Sequence, residues 1–296
     1  MIDIIGKKKI YYAISAVFIV ASIMALLLWG LRFGIDFKGG SILEVAYSDN
    51  ERPETNQIID SLKPLKLNDL RISPVGDNGV NFRFRETDET THQEIMKILG
   101  GNIEERRFSS IGPTIGTELK QKSIKAIIIV LFGISLYIAW AFRTVSRPLS
   151  SWRYGVVTLL ALFHDLVIPV GLFAFLGHFY GVEVGTNFIV ALLVILGFSV
   201  HDTIVVFDRI RENLKRYASL DFGLLVNQSV NETLVRSINT SFTVLLTLLA
   251  LYVFGGEILR YFILALMVGI FSGTYSSIFI ASPLLVSWFR ALNKNG

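Results

Sequence analysis

The chain sets long apolar runs around one long polar interval. Stretches long enough to cross a bilayer as helix, roughly 20 residues, occur at 10–31, 124–142, 154–176, 186–207, 237–255 and 261–282, some with one polar interruption. The interval 33–123 between the first two is polar enough to fold in water, and there the periodicity changes. SILEVAY (41–47) alternates as a strand, and PETNQIIDSLKPL (53–65) reads as a short helix. DLRISPV (69–75) and VNFRFRE (80–86) are strands flanking the turn signal GDNG. TDETTHQEIMKILG (87–100) has a Thr/Asp start and a Gly stop and predicts a second helix. NIEERRFSSI (102–111) is a fourth strand.

The order βαββαβ predicts a ferredoxin-like split βαβ sandwich. Such sandwiches host many functions, so the fold alone assigns none. The interval holds one His and no Gly-rich phosphate loop, which suits a binding or force-bearing module better than an enzyme. The predicted layout is a tail and first helix over 1–32, this domain over 33–123, and helices two to six over 124–290. A cytoplasmic connection over 208–236 and a tail over 291–296 complete it.

Composition agrees with the runs. At 52% hydrophobic residues and a mean hydropathy of +0.55, the chain is too apolar for an ordinary soluble domain and predicts an α-helical membrane protein. Without cysteine there is no disulfide framework and no thiol chemistry. The start, with Lys7, Lys8 and Lys9 before an apolar run, looks like a secretory signal. The run is longer than a signal's apolar region and no A-x-A-like site follows it, so an uncleaved first span is expected.

The net charge of +4 matters less than its placement. Lys7, Lys8, Lys9, Arg143, Arg147, Arg153, Arg209, Arg211, Lys215, Arg216, Arg290 and Lys294 gather on one side of the predicted spans. The opposite short loops, 177–185 and 256–260, carry only Arg260. The excess of positive loops marks the cytoplasmic side. Both termini are therefore expected there, with the polar domain outside.

Charged groups inside spans cost on the order of 2.5–3.5 kcal/mol on insertion scales, so each needs a reason. The third span contains FHDLVIPVG, with His164, Asp165 and Pro169; the fourth contains FSVHDT, with Ser199, His201, Asp202 and Thr203. Ser199, Asp202, Thr203 and Val206 share a helical face, which predicts that they look into the bundle. In the fifth span Arg236, Thr240, Thr243 and Thr247 form a polar stripe. Arg236 either snorkels to the cytoplasmic surface or faces Asp202 as its ion-pair partner. In the sixth, Gly269 and Gly273 match a small-xxx-small packing pattern, and packing is the expected role for them and for Ser272 and Ser276. Asp208, Arg209 and Arg211 read as a solvated helix end.

A titratable carboxylate inside a span can load and release a proton. One charge crossing 100 mV is worth about 2.3 kcal/mol, enough to bias a conformational equilibrium. Two rival chemistries fare worse. An intramembrane aspartyl dyad of Asp165 and Asp202 lacks the G-x-G-D pattern, and each His-Asp dipeptide presents only one ligand inward, which argues against a metal.

Taken in order, GIDFKGGSILEV, GPTIGTEL, ALFHDLVIPVGLFAF, GFSVHDTIVVFDRIREN and NETLVRSINTSF resemble the SecD/SecF protein-export family of the resistance-nodulation-division (RND) superfamily. The resemblance runs through the whole chain. It implies six spans, half of an RND-type twelve-helix bundle, with a single large outside domain after the first. It implies a subunit of the bacterial inner membrane that uses the proton-motive force to promote preprotein translocation and release, and not an enzyme. No cofactor is implied beyond protons as the coupling ion. The implied partners are SecD, the SecYEG channel, YajC, unfolded preproteins and the lipid bilayer, with no nucleic acid.

The resemblance also assigns Asp202 and Arg236 to the family's proton path, and Asp165 after them. Asp36, Gly39 and Gly40 match its D-x-x-G-G signature. Together with Gly112, Pro113 and Gly116 these mark the two tethers of the outside domain, read either as turns at the membrane surface or as a hinge pair. Two departures stand out. His201 occupies a place where the family usually has Asn, which adds either a second titrating group or another hydrogen-bonding side chain. The loop RTVSRPLSSWRYG is longer than the family suggests. A passive scaffold of the channel, with Asp202 and Arg236 as a structural pair, and half of an RND-type small-molecule exporter are the alternative functions.

Overall fold

The computed structural model describes residues 1–48, 52–85, 88–143, 149–217 and 219–293, so Arg147, Lys294 and most of the RTVSRPLSS loop lie outside the described residues. It divides into two units, 33–124 and the remainder (1–32 with 125–296).

The polar unit is built around four strands, β1 (Gly40–Tyr47), β2 (Arg71–Val75), β3 (Gly79–Phe84) and β4 (Ile103–Ile111). They pair antiparallel in the order β2-β3-β1-β4. Two crossover helices, α3 (Thr55–Leu62) and α4 (Glu89–Leu99), complete the split βαβ arrangement. Register explains the core. Leu43 stands opposite Phe82 and Val45 opposite Val80, and these buried side chains pack with Ile58, Leu62 and Ile95 of the two helices.

The tethers are more ordered than a pair of turns. Ile35–Lys38 forms a short helix, α2, with Asp36 in its first turn. The GPTIGTELK stretch is not a turn at all, because Pro113 opens a continuous helix, α5 (Pro113–Ala141). Proline is well suited to a first helical position, where its missing N–H leaves nothing unpaired. The two tethers touch. A Cβ on Gly39 would sit 2.8 Å from the Pro113 backbone, and one on Gly116 would sit 3.0 Å from the Gly39 nitrogen. The tether residues thus pack on one another within the polar unit.

Among the described residues six helices are long and apolar enough to cross a membrane, and they make up most of the other unit. They are α1 (Lys8–Trp29), α5, α6 (Ser151–Tyr180), α7 (Thr186–Arg216), α8 (Phe222–Phe254) and α9 (Glu257–Ser276), the last prolonged through a π-helical turn (Ser277–Ala281) into α10 (Ser282–Asn293). The expected connection over 208–236 is largely helical. Its residues extend α7 and α8, leaving only 217–221 between them. Hydropathy marks where a helix meets lipid, whereas backbone hydrogen bonding carries the helix beyond it. The tail expected at 291–296 likewise begins inside α10.

Small residues set the closest helix approaches. A Cβ on Gly171 of α6 would collide with Ser22 of α1, one on Gly269 of α9 with Ile195 of α7, and one on Gly273 with Ser199. This is the packing expected of Gly269 and Gly273.

The amino-terminal residues hold a contact that hydropathy does not reveal. Asn227 Oδ1 accepts from the backbone N–H groups of Ile4 (2.9 Å) and Ile5 (3.1 Å), and its Nδ2 donates to the Ile2 carbonyl at 3.1 Å. Asn231, one turn on, bonds Ile2 at both its N–H and its carbonyl. Ile4 and Ile5 are buried in the core beside Val226 and Val230. Asn227→Ala strands two buried N–H groups, each costing about 1–3 kcal/mol. Its expected outcome is release of residues 1–6, read as faster proteolysis there, with a loss of about 2 kcal/mol or more in unfolding. An unchanged cleavage rate would show that the isoleucines hold the segment alone.

Candidate functional site

α6, α7, α8 and α9 place two carboxylates inside the bundle. Asp165 on α6 is 0% exposed and Asp202 on α7 is 2% exposed. Ser199, Thr203 and Val206 are buried with Asp202, as their shared helical face predicts.

Asp165 is held by four donors, two on each oxygen. Oδ1 lies 2.8 Å from His164 Nδ1, which donates to it in the tautomer that carries the hydrogen on Nδ1, and accepts from Ser272 Oγ at 3.3 Å. Oδ2 accepts from Ser199 Oγ at 2.5 Å and from Ser276 Oγ at 2.8 Å. His164, also buried, reaches Ser15 of α1 through Nε2 at 3.1 Å. Pro169 lies inside α6. Lacking an N–H, it removes the helical donor that the Asp165 backbone carbonyl would otherwise take four residues on.

Asp202 is held more loosely. Among the described residues only Oδ2 is bonded, by Ser241 Oγ of α8 at 3.3 Å and Thr274 Oγ1 of α9 at 3.2 Å. Both hydroxyls have closer partners. Ser241 reaches the Ser237 carbonyl at 2.9 Å, Thr274 the Ile270 carbonyl at 3.0 Å, and the two lie 2.5 Å from each other. A cavity of about 250 Å³ between α8 and α9 is lined by these two hydroxyl residues with Ile238, Phe271 and Tyr275.

One stretch, Ser272 to Ser276 of α9 with Ser277 of the π-helical turn after it, thus gathers the two carboxylates and Thr203. Ser272 and Ser276 reach Asp165 and Thr274 reaches Asp202, while Ser277 bonds Thr203 at 2.8 Å. Packing therefore describes Gly269 and Gly273 but not the serines, which are donors. Their i, i+4 spacing was the available signal.

Arg236 does not meet Asp202. It is exposed on α8, and no ion pair between the two forms among the described residues. The inward stripe of α8 is the neighbouring one, with Ser237 and Ser241 buried. Their small side chains permit close approach, whereas the predicted stripe turns Thr243 and Thr247 outward. His201 is also exposed, one residue and about 100° round the helix from Asp202.

At the end of α7, the Arg209 side chain bonds Glu212 (2.6 Å) and Glu232 of α8 (2.5 Å), and Arg211 pairs with Asp208. The solvated helix end is thus also a strap between two helices. The tether residues Asp36, Gly39, Gly40, Gly112, Pro113 and Gly116 belong to the other unit. Among the described residues no three His, Cys, Asp or Glu side chains group as a metal site would require.

Comparison with known proteins gives a consistent picture. A family model described as protein export membrane protein SecD/SecF, C-terminal, matches residues 91–291. A second, the SecD/SecF GG motif, matches residues 30–51. The chain is 46% identical over 304 residues to protein translocase subunit SecF of Thermobaculum terrenum, covering 97% of this chain and 94% of that protein. It is 35% identical over 266 residues to protein translocase subunit SecDF of Brucella abortus biovar 1, covering 88% of this chain and 33% of that one. The crystal structure of the translocon-associated membrane protein SecDF from Thermus thermophilus superposes with a TM-score of 0.82 at 33% identity. That match covers 97% of this chain and 38% of the other, so the chain spans under two fifths of that SecDF.

Proposed function

Because the chain belongs to the SecD/SecF protein-export family, as a multi-pass inner-membrane accessory subunit of Sec translocation, we propose that it couples proton passage through Asp202 to preprotein movement. Protons would enter from the outside and leave toward the cytoplasm; the Lys- and Arg-rich loops support placing both termini on that inner side. The observation that carries this reading is the bonding of Asp202. It is a carboxylate buried in a span, with one oxygen unbonded among the described residues and two hydroxyls that have backbone acceptors to fall back on.

SecD is the proposed partner. Two relatives join SecD and SecF in a single name and a chain more than twice this length. The exposed stripe of α8, Arg236 with Thr243 and Thr247, supports a partner helix on that face, because an arginine on a membrane helix needs a polar neighbour or an interface to reach. SecYEG, YajC and unfolded preproteins complete the proposed assembly. The scaffold alternative relied on Asp202 and Arg236 pairing, and within this chain they do not. The exporter alternative finds no counterpart in the names of the relatives above.

The test is proton-gradient-dependent preprotein export in vesicles holding this chain, SecD and the channel, wild type against Asp202→Asn. Assembly is checked first. Loss of the gradient response with the complex intact is expected. An unchanged response would make the carboxylate structural and favour the scaffold.

A further inference from the structure

The two buried carboxylates differ in a way that hydrogen-bond counting exposes. An ionised carboxylate has about four acceptor sites, while a protonated one must donate at one of them. Asp165 has all four sites filled by donors: His164 Nδ1 and Ser272 on Oδ1, Ser199 and Ser276 on Oδ2. A proton placed on either oxygen would require one of these groups to turn away, and Ser272 and Ser276 lie nearer to Asp165 than to their alternatives, His164 Nδ1 at 3.4 Å and the Gly273 carbonyl at 3.1 Å. Asp202 has the opposite arrangement. It makes two long bonds on Oδ2, from hydroxyls that each lie closer to a backbone carbonyl of their own helix.

We infer that Asp165 is a fixed charge that organises the bundle, kept ionised by its four donors, and that Asp202 alone exchanges the proton. This rests on the proton-carrying reading of Asp202 and divides the labour within it. When Asp202 takes a proton, Ser241 turns its hydrogen to the Ser237 carbonyl, and the Asp202 O–H donates to the freed lone pair on Ser241 Oγ. When the proton leaves, the hydroxyl of Ser241 or Thr274 turns back to the carboxylate. No bond beyond O–H is made or broken, and no heavy atom must move far.

The same count makes His164, Ser199, Ser272 and Ser276 positioning residues. They act on coupling by holding Asp165 ionised and do not carry the proton themselves. The titratable groups near Asp165 are His164 beside it and Tyr275 of α9, whose ring stacks on His164 at 6.3 Å between centroids. Beyond them lies Tyr11 of α1, whose backbone carbonyl accepts from the Tyr275 hydroxyl. Near Asp202 they are His201, exposed on the same helix, and Tyr275, which shares the cavity with Ser241 and Thr274. On α8 the groups facing Asp202 are hydroxyls, and its arginine, Arg236, is exposed.

Infrared difference spectra of the full chain in lipid, taken between high and low pH, test this. The signal is the carbonyl band of a protonated carboxyl shielded from water. Wild type is expected to give one such band, lost in Asp202→Asn and kept in Asp165→Asn. Because Asp165→Asn is a risk to folding, the second arm removes donors instead. Ser272→Ala with Ser276→Ala leaves Asp165 with two free acceptor sites, so a second titrating band should appear and double the total area. Adding Asp165→Asn should abolish that gain. A wild-type band that follows Asp165 and not Asp202, or a double variant with no second band, overturns the division while leaving proton coupling itself standing. No shielded band in wild type at all would remove Asp202 as the exchange site, and the proposed function with it.

Discussion

Asp165→Ala is expected to lower the unfolding free energy of the helical unit by about 3–5 kcal/mol, the range for removing one member of a buried charged network. The loss follows from what is left behind. Four donors converge on the missing carboxylate, and all of their residues are buried. Each buried donor without an acceptor costs about 1–3 kcal/mol. The costs do not simply add, because Ser276 lies 3.1 Å from the Gly273 carbonyl and can turn to it. Asp202→Ala should cost much less, since Ser241 and Thr274 already lie nearer to backbone carbonyls than to Asp202. The check is thermal unfolding of the full chain in lipid, both variants beside wild type. Equal losses in the two would show that the donor count does not set stability here. Against a total of about 5–15 kcal/mol for a typical domain, a cost of this size also predicts a lower yield of the Asp165 variant in the membrane.

Gly39→Val is expected to destabilise the polar unit by on the order of 3 kcal/mol, from two additive causes. Gly39 has φ +79° with ψ 166°, a region open essentially to glycine alone, which costs another residue about 1–3 kcal/mol. Its new Cβ would lie 2.8 Å from Pro113 Cα and N, backbone atoms that cannot swing aside as a side chain does. Overpacking of that kind adds about 1–3 kcal/mol. Hydrogen exchange over residues 33–124 of the full chain reads the effect. Gly101→Ala is the control, with open space about its Cβ and no positive φ, and it should change exchange little. If both substitutions loosened the unit equally, crowding between the tethers would not be the cause.

How much of this could be read beforehand varies with the physics of each feature. The spans were legible because 20 apolar residues have few other solutions, and the sheet because alternation and the GDNG turn fix both period and register. Helix ends were not, since α7 and α8 continue past their apolar stretches on backbone hydrogen bonds. The inward face of α7 followed from Ser199, Asp202 and Thr203. In α8 two polar stripes run side by side, Arg236–Thr240–Thr243–Thr247 and Ser237–Ser241. Composition alone does not say which of the two turns inward. Close packing selected the smaller, and left Arg236 outside.

The serines of α9 were misjudged for a related reason. A hydroxyl in a membrane helix can always satisfy itself on a carbonyl of the preceding turn. Nothing in the sequence says that Ser276 also has a carboxylate within reach. The anchoring of Ile4 and Ile5 was illegible because it depends on an asparagine more than two hundred positions away.

The π-helical turn at Ser277–Ala281 is in effect a dislocation, one residue too many in an otherwise regular lattice of turns. On its near side the lattice is aligned to present Ser272, Thr274 and Ser276 to the two carboxylates. On its far side it is aligned to bury Leu285 and Val286 in the core. Each α-helical residue turns the axis by about 100°, so one uninterrupted helix would not satisfy both alignments. Deleting a single residue from this turn would heal the dislocation and rotate one half of the last span out of phase with the other. Length at this point of the chain is therefore as tightly specified as residue identity is at Asp165.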